Sequence, residues 1–407
     1  MFMKKKIMLL LITTSLLTGC GYDKYEMPED AYINLNKNSY LVFEDIKMAD
    51  LVKDTNVEIL NKDEYVVNDK TGNHTVTLDY KFKKRTYKFD ITYELSDNES
   101  PFVLSAPSSK TVVKDAEFDP CEGANFIDNY DREPKCRIEG EYDINKIGNY
   151  SVKYIFSDEA NNETSRNLTV KVVAEVKKPT STTTKKPTTN NPTPSEPQYN
   201  IQEYINKYKF DDTMIGIDVS RWQGDIDYEQ VKNAGVEFVM MRMGVQSGSK
   251  KDLEMDSFYQ KNIENAKNAG LKVGVYLYSV ALNQDKAREH AKWVVKNLNG
   301  MKLDFPIAYD WENWQYIREY NVSIHDLNMN FEAFADELKK NGYETMLYSS
   351  KYYLNHIWNN RKDYPVWQAH YASETEMHKN GVMWQFSDKG KVPGIKGNVD
   401  LDIYYLD

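Results

Sequence analysis

The run Phe305-Pro306-Ile307-Ala308-Tyr309-Asp310-Trp311-Glu312-Asn313-Trp314 ends an apolar, strand-like stretch in two carboxylates two residues apart, flanked by aromatic rings. In an extended strand, side chains at i and i+2 share a face, with Cα atoms roughly 6–7 Å apart. Asp310 and Glu312 should therefore project together from the end of one strand. Paired acids beside aromatic rings suit the breaking of a sugar–sugar bond. One acid protonates the leaving oxygen, a second carboxylate supports the charged transition state, and apolar ring faces receive the sugar. Two solvated acids at a strand end is the other reading of this segment taken alone.

Strand and helix patterns alternate around that segment. Ile215–Ser220, Glu237–Arg242 and Leu271–Tyr278 read as strands, and Asp227–Gly235, Ser257–Gly270, Asp285–Leu298 and Ser323–Asn341 read as helices. Further strands are expected near Thr345–Ser349, Val366–Tyr371, Val382–Phe386 and Asp400–Tyr405. The pattern predicts an α/β (β/α) TIM-like barrel over residues 213–407. That length is short for the fold, so the outer helices should be reduced. Chemistry in such barrels sits at the C-terminal strand ends. There the sequence places Asp218, Arg242, Tyr278, Asp310, Glu312, Gln368, Gln385 and Asp400, accompanied by Trp222, Tyr276, Trp311, Trp367, Tyr371 and Trp384. Each aromatic taken singly is equally a packing residue. Four acids at one mouth are harder to explain by packing, because like charges in a dry site push one acid toward its protonated form.

Upstream of residue 177 the period is two, as in Thr75–Tyr80, Tyr87–Tyr93, Tyr150–Phe156 and Leu168–Val172. Two small β-sandwiches are expected, over 27–97 and 98–175. Residues 177–198 are rich in Pro, Thr and Asn and hold no large apolar side chain, so they read as a Pro/Thr-rich linker. In a polyproline conformation it would reach about 60–70 Å. The chain opens on Met1-Phe2-Met3-Lys4-Lys5-Lys6, an apolar run Ile7–Leu17 and Thr18-Gly19-Cys20, the pattern of a secretory signal. The apolar run is shorter than the about 20 residues a membrane span needs.

With Cys20 set aside, Cys121 and Cys136 remain. Export permits a disulfide between them, worth about 3 kcal/mol in the chain-entropy picture; two free thiols is the alternative. The net charge of −10 argues against nucleic-acid binding. His74, His290, His325, His356, His370 and His378 show no metal-ligand spacing, so neither a metal nor a cofactor is expected.

Several motifs match known families. Gly216-Ile217-Asp218-Val219-Ser220-Arg221-Trp222-Gln223-Gly224, Gly274-Val275-Tyr276-Leu277-Tyr278-Ser279, Tyr309-Asp310-Trp311-Glu312, Val366-Trp367-Gln368-Ala369-His370-Tyr371, Trp384-Gln385-Phe386-Ser387 and Val392–Asp402 follow one another along the C-terminal half. In that order they resemble glycoside hydrolase family 25, lysozymes of the N-acetylmuramidase type. The resemblance implies cleavage of the β-1,4 bond between N-acetylmuramic acid and N-acetylglucosamine in peptidoglycan. It implies Glu312 as proton donor, Asp310 as its partner, and Asp218 and Asp400 as further active-site acids. It places substrate contacts at Trp222, Tyr276, Tyr278, Trp311, Trp367, Gln368, Tyr371, Trp384 and Arg242. Arg242 departs from the pattern, since many members carry a different basic residue there. Leu17-Thr18-Gly19-Cys20 resembles a bacterial lipobox, which implies a signal peptide over 1–20 and lipid on Cys20; a plain cleaved signal is the alternative. Residues 98–175 resemble bacterial immunoglobulin-like surface modules through Gly148–Tyr154 and Ser157–Asn162.

The expectation is thus a multidomain, extracytoplasmic lipoprotein: two all-β immunoglobulin-like sandwiches, then the barrel. It would be anchored to the outer membrane face and act on peptidoglycan glycan strands, with cell-envelope proteins as further partners of the β modules. Two other readings stand beside it: a non-catalytic wall-binding lipoprotein, and a barrel hydrolase acting on another amino-sugar glycan. Family-18 chitinases also end a strand in Asp-x-Glu, but Pro306–Tyr309 lack the preceding acids of that pattern.

Overall fold

A computed structural model describes residues 27–175, 199–359 and 362–406. The expected signal over 1–20 with Cys20, and the linker over 177–198, lie outside the described residues. The chain divides into two compact units, one ending at Asp97 and the other starting at Asn98.

The first unit is built on the hairpin of Gly72–Phe82 and Arg85–Ser96, which pairs Gly72 with Leu95 and Phe82 with Arg85. Alternation along both strands turns Leu78, Tyr80, Ile91, Tyr93 and Leu95 inward. Ser39–Leu41 and Glu58–Ile59 complete a four-stranded sheet, and Ile33–Leu35 pairs separately with Val52–Thr55. The β module of the second unit repeats this division. Lys135–Glu139, Gly148–Ser157, Glu163–Val173 and Ser109–Val113 form one sheet, and Phe102–Ser105 pairs with Asn125–Ile127. The expected immunoglobulin-like sandwiches are not what these strands show. Each module has a four-stranded sheet and a two-stranded ribbon, where the immunoglobulin arrangement has about seven strands in two full sheets. Cys121 and Cys136 are joined as a disulfide.

The rest of the second unit is an eight-stranded closed barrel. Its strands are β1 (Thr213–Val219), β2 (Phe238–Val245), β3 (Lys272–Tyr278), β4 (Ile307–Asp310), β5 (Thr345–Ser350), β6 (Val366–Ala369), β7 (Gly381–Lys391) and β8 (Val399–Tyr405). Neighbours run parallel from β1 to β7. β8 closes the ring antiparallel to both β7 and β1. This corrects the expected α/β TIM-like barrel. Only residues 392–398 join β7 to β8, and a parallel return needs a crossover of about a dozen residues or more. The fold is strand-rich, with seven α-helices among the described residues. The longer ones are α3 (Tyr259–Asn268), α4 (Gln284–Leu298) and α6 (Ile324–Lys340). α1 (Ile201–Tyr208), α2 (Tyr228–Asn233), α5 (Ile317–Tyr320) and α7 (Lys351–His356) are short.

Alternation along the strands separates two environments. Outward positions such as Ile215, Ile217, Val239 and Met241 pack under the helices, while Met214, Phe238, Met240, Ala308, Met346, Trp367 and Met383 fill the barrel. Gly216 makes room for that filling: a Cβ there would lie 2.2 Å from the Phe238 ring.

Candidate active site

Above this apolar plug the inward positions become polar. Asp218 on β1, Arg242 on β2, Tyr276 and Tyr278 on β3, Asp310 on β4, Tyr348 on β5, Trp367 on β6 and Gln385 on β7 line a cavity of about 260 Å³. Glu312 and Asp400 complete it. Two placements differ from the sequence reading. β4 ends at Asp310, so Glu312 stands on the chain just beyond it; the alternation continues, and Trp311 between them turns into the core. Asp400 lies near the start of its strand. It reaches the mouth because β8 is reversed, in register with Asp218 on β1.

The expected substrate residues divide by the same geometry. Trp222 and Tyr371 line the cavity while 75% and 55% exposed, so core packing does not account for them. Tyr276 and Trp367 meet edge to face at 5.9 Å on its floor. Trp311, Gln368 and Trp384 do not reach it. Trp311 packs on Trp314, Trp384 donates its indole N–H to the His370 carbonyl, and Gln368 bonds Thr375 and the His378 amide. All three occupy outward positions. Arg242 faces the cavity, but its Nε and Nη2 donate to buried Asp256 at 2.8 and 2.6 Å.

Two participants, Tyr348 and Asp402, escaped the sequence reading of the site. Gln385 donates to Asp218 Oδ2 at 2.7 Å and accepts from the Tyr348 and Tyr371 hydroxyls at 2.9 and 3.1 Å. Asp402 is fully buried, accepts the Trp367 indole N–H at 2.9 Å and raises the Asp218 pKa through its charge. The spacing Asp400-Leu401-Asp402 repeats that of Asp310 and Glu312 and was the available signal.

Five carboxyls in one enclosed space cannot all ionise. Burial first, then Asp402 and Glu312, pushes Asp218 well up, against the pull of Gln385. Burial, Glu312 and Asp218 raise Asp310, and Arg242 opposes them. Asp400 is pushed up to about 9 by burial, Asp218, Asp388 and Glu312. Glu312 opens to solvent at the mouth yet is surrounded by enough protein for lost hydration to raise it. Asp310 Oδ1 is buried with no hydrogen-bond partner among the described residues.

A closed barrel whose mouth gathers acids and open aromatic faces holds the groups that cleavage of a sugar–sugar bond needs. The matches agree for this part of the chain. The model of the family described as Glycosyl hydrolases family 25 matches residues 217–395. An autolytic lysozyme of Clostridium acetobutylicum is 34% identical over 191 residues, covering 46% of this chain and 55% of that protein. Lysozyme M1 of Streptomyces globisporus is 28% identical over 198 residues, covering 46% and 65%. The chain thus spans little more than half of the first of these relatives. A family 25 glycosyl hydrolase from Bacillus anthracis shares 21% identity over 49% of this chain and 93% of its own, with a TM-score of 0.42. The relatives support an enzyme, a glycoside hydrolase of the lysozyme kind.

Proposed function

We propose that this protein is a peptidoglycan hydrolase of the N-acetylmuramidase type, cleaving the β-1,4 bond between N-acetylmuramic acid and N-acetylglucosamine. The observation that carries the reading is the convergence of Asp218, Asp310, Glu312 and Asp400 on one cavity flanked by Trp222 and Tyr371. Glu312 and Asp310 form a coupled pair whose protons belong to both. Burial raises Glu312 as well as Asp310, so Glu312 carries a proton where the mouth opens to substrate. Glu312 then gives it to the glycosidic oxygen. Asp310 accepts the N–H of the substrate's N-acetyl group, whose carbonyl oxygen attacks the anomeric carbon as the leaving sugar departs. Water opens the resulting ring, losing its proton to the Glu312 carboxylate. Both acids stand on one side of the sugar, which suits this substrate-assisted route better than displacement from the opposite face.

The expected lipid on Cys20 and the linker over 177–198 complete the reading: a hydrolase held at the outer membrane face for local wall opening, with the boundaries given above. Purified peptidoglycan incubated with the full chain should gain reducing ends, and the Glu312→Gln chain should release them roughly 10³-fold more slowly. Proton NMR of the first product should show the β-anomer; an α-anomer would refute the substrate-assisted route.

A further inference from the structure

The disulfide-closed loop 121–136 docks onto the barrel. Ile127, at the end of the strand Asn125–Ile127, is 1% exposed and belongs to the barrel's own core cluster with Trp314 and Ile317. The amides of Ile324 and His325 donate to the carbonyls of Asp128 and Asn129 at 2.8 and 3.2 Å. Arg132 forks onto Asp326, with Nε and Nη2 each 2.7 Å from a carboxylate oxygen. Burial alone would raise Asp326; Arg132 and the Ser323 donors outweigh it and hold the carboxyl below its ordinary value. From the barrel side, Arg318 lies over the Phe126 ring at 4.8 Å and donates to the carbonyls of Cys121 and Ala124 at 3.3 and 3.4 Å.

All these contacts fall on residues 314–326, the stretch that leaves the barrel directly after Glu312. Its links to the cavity are short. The Trp314 amide donates to the Glu312 carbonyl at 2.7 Å, and Asn313 accepts from the Tyr278 hydroxyl at 3.1 Å. Within the stretch, the 3-10 turn Trp314–Tyr316 and α5 have three and four residues. Helices so short do not hold themselves in water, so their position depends on what packs against them.

We propose that loop 121–136 is a positioning element for the hydrolytic site. It holds residues 313–326, and through them the Glu312 carboxyl, so turnover depends on a β module that lends no side chain to the cavity. The inference rests on the reading of Glu312 as the acid. A displacement of about 1 Å can cost about a hundredfold in rate, so a loosened support should act on turnover more than on binding. Trp222 and Tyr371 stand elsewhere on the mouth and keep their hold on the glycan.

The test uses the full chain carrying Arg132→Ala and Arg318→Ala together. Arg137→Ala serves as control; it breaks the Arg137–Glu163 pair (2.9 Å) of the same module away from the docking face. Hydrolysis of peptidoglycan fragments is followed against pH, with thermal unfolding of each chain. The double variant should lose about tenfold in kcat with little change in KM, and the control should match the wild type. Water admitted beside Glu312 should also bring its raised pKa down, moving the alkaline limb of the rate profile to lower pH. A mere loss of folded protein leaves that limb in place. The groups facing Glu312 are Asp310, Asp218, Asp400, Tyr278, Tyr348, Tyr353, Tyr371 and Arg242, and the variants alter none of them. Wild-type kcat and an unmoved limb in the double variant would overturn the inference. So would a kcat loss matching the loss of folded protein. An inactive wild-type chain would overturn the assignment of Glu312 and this inference with it.

Discussion

At Asp310 and Glu312 the barrel sets two carboxylates that burial pushes toward their protonated forms, and the Glu312 charge raises Asp310 further. Replacing Glu312 by Gln keeps the shape and removes the proton. Turnover should fall by roughly 10³-fold, within the span attributed to positioned acids, while glycan binding persists; near-normal hydrolysis would refute the assignment. Asp400 offers an independent check through stability. Its folded-state pKa is raised from 3.8 to about 9, so between those values the folded state holds a proton that the unfolded state has lost. Stability is therefore greatest at low pH and falls as pH rises toward 9. Denaturant unfolding at pH 5 and pH 9 should show that fall, and Asp400→Asn should flatten it. The acids were legible from residue type and spacing. Asp256, which locks Arg242, was not, because a buried partner 14 residues away leaves no local pattern.

At the scale of elements, the alternation of strand and helix patterns located the barrel strands and put Asp218 and Asp310 at their C-terminal ends. It could not tell inward from outward among apolar strands buried on both faces, so Trp311, Gln368 and Trp384 appeared to be site residues although they point into the surrounding core. Nor could it show the reversal of β8, which depends on the brevity of 392–398 and on ring closure. Gly216 marks a tight point in the barrel packing. Gly216→Ala drives a methyl against the Phe238 ring and should cost about 1–3 kcal/mol, read as a lower denaturant midpoint with an unchanged slope; an unaltered midpoint would show the interior to be loosely filled.

At the scale of the whole molecule, composition marked the Pro/Thr-rich segment as the main divide. The contacts instead join residues 98–175 to the barrel in one unit and set the first module apart. Among the contacts at that junction Arg132 pairs with Asp326, 194 residues apart, a separation no local pattern reports. The acidic balance and the absence, among the described residues, of any helix long and apolar enough to cross a membrane are compatible with a glycan substrate but do not select one. The central claim is the bond cleaved. Purified peptidoglycan should be digested with the full chain, its products reduced with borohydride and their masses measured. Muropeptides ending in reduced N-acetylmuramic acid are the predicted result; products ending in reduced N-acetylglucosamine, or no products at all, would contradict it.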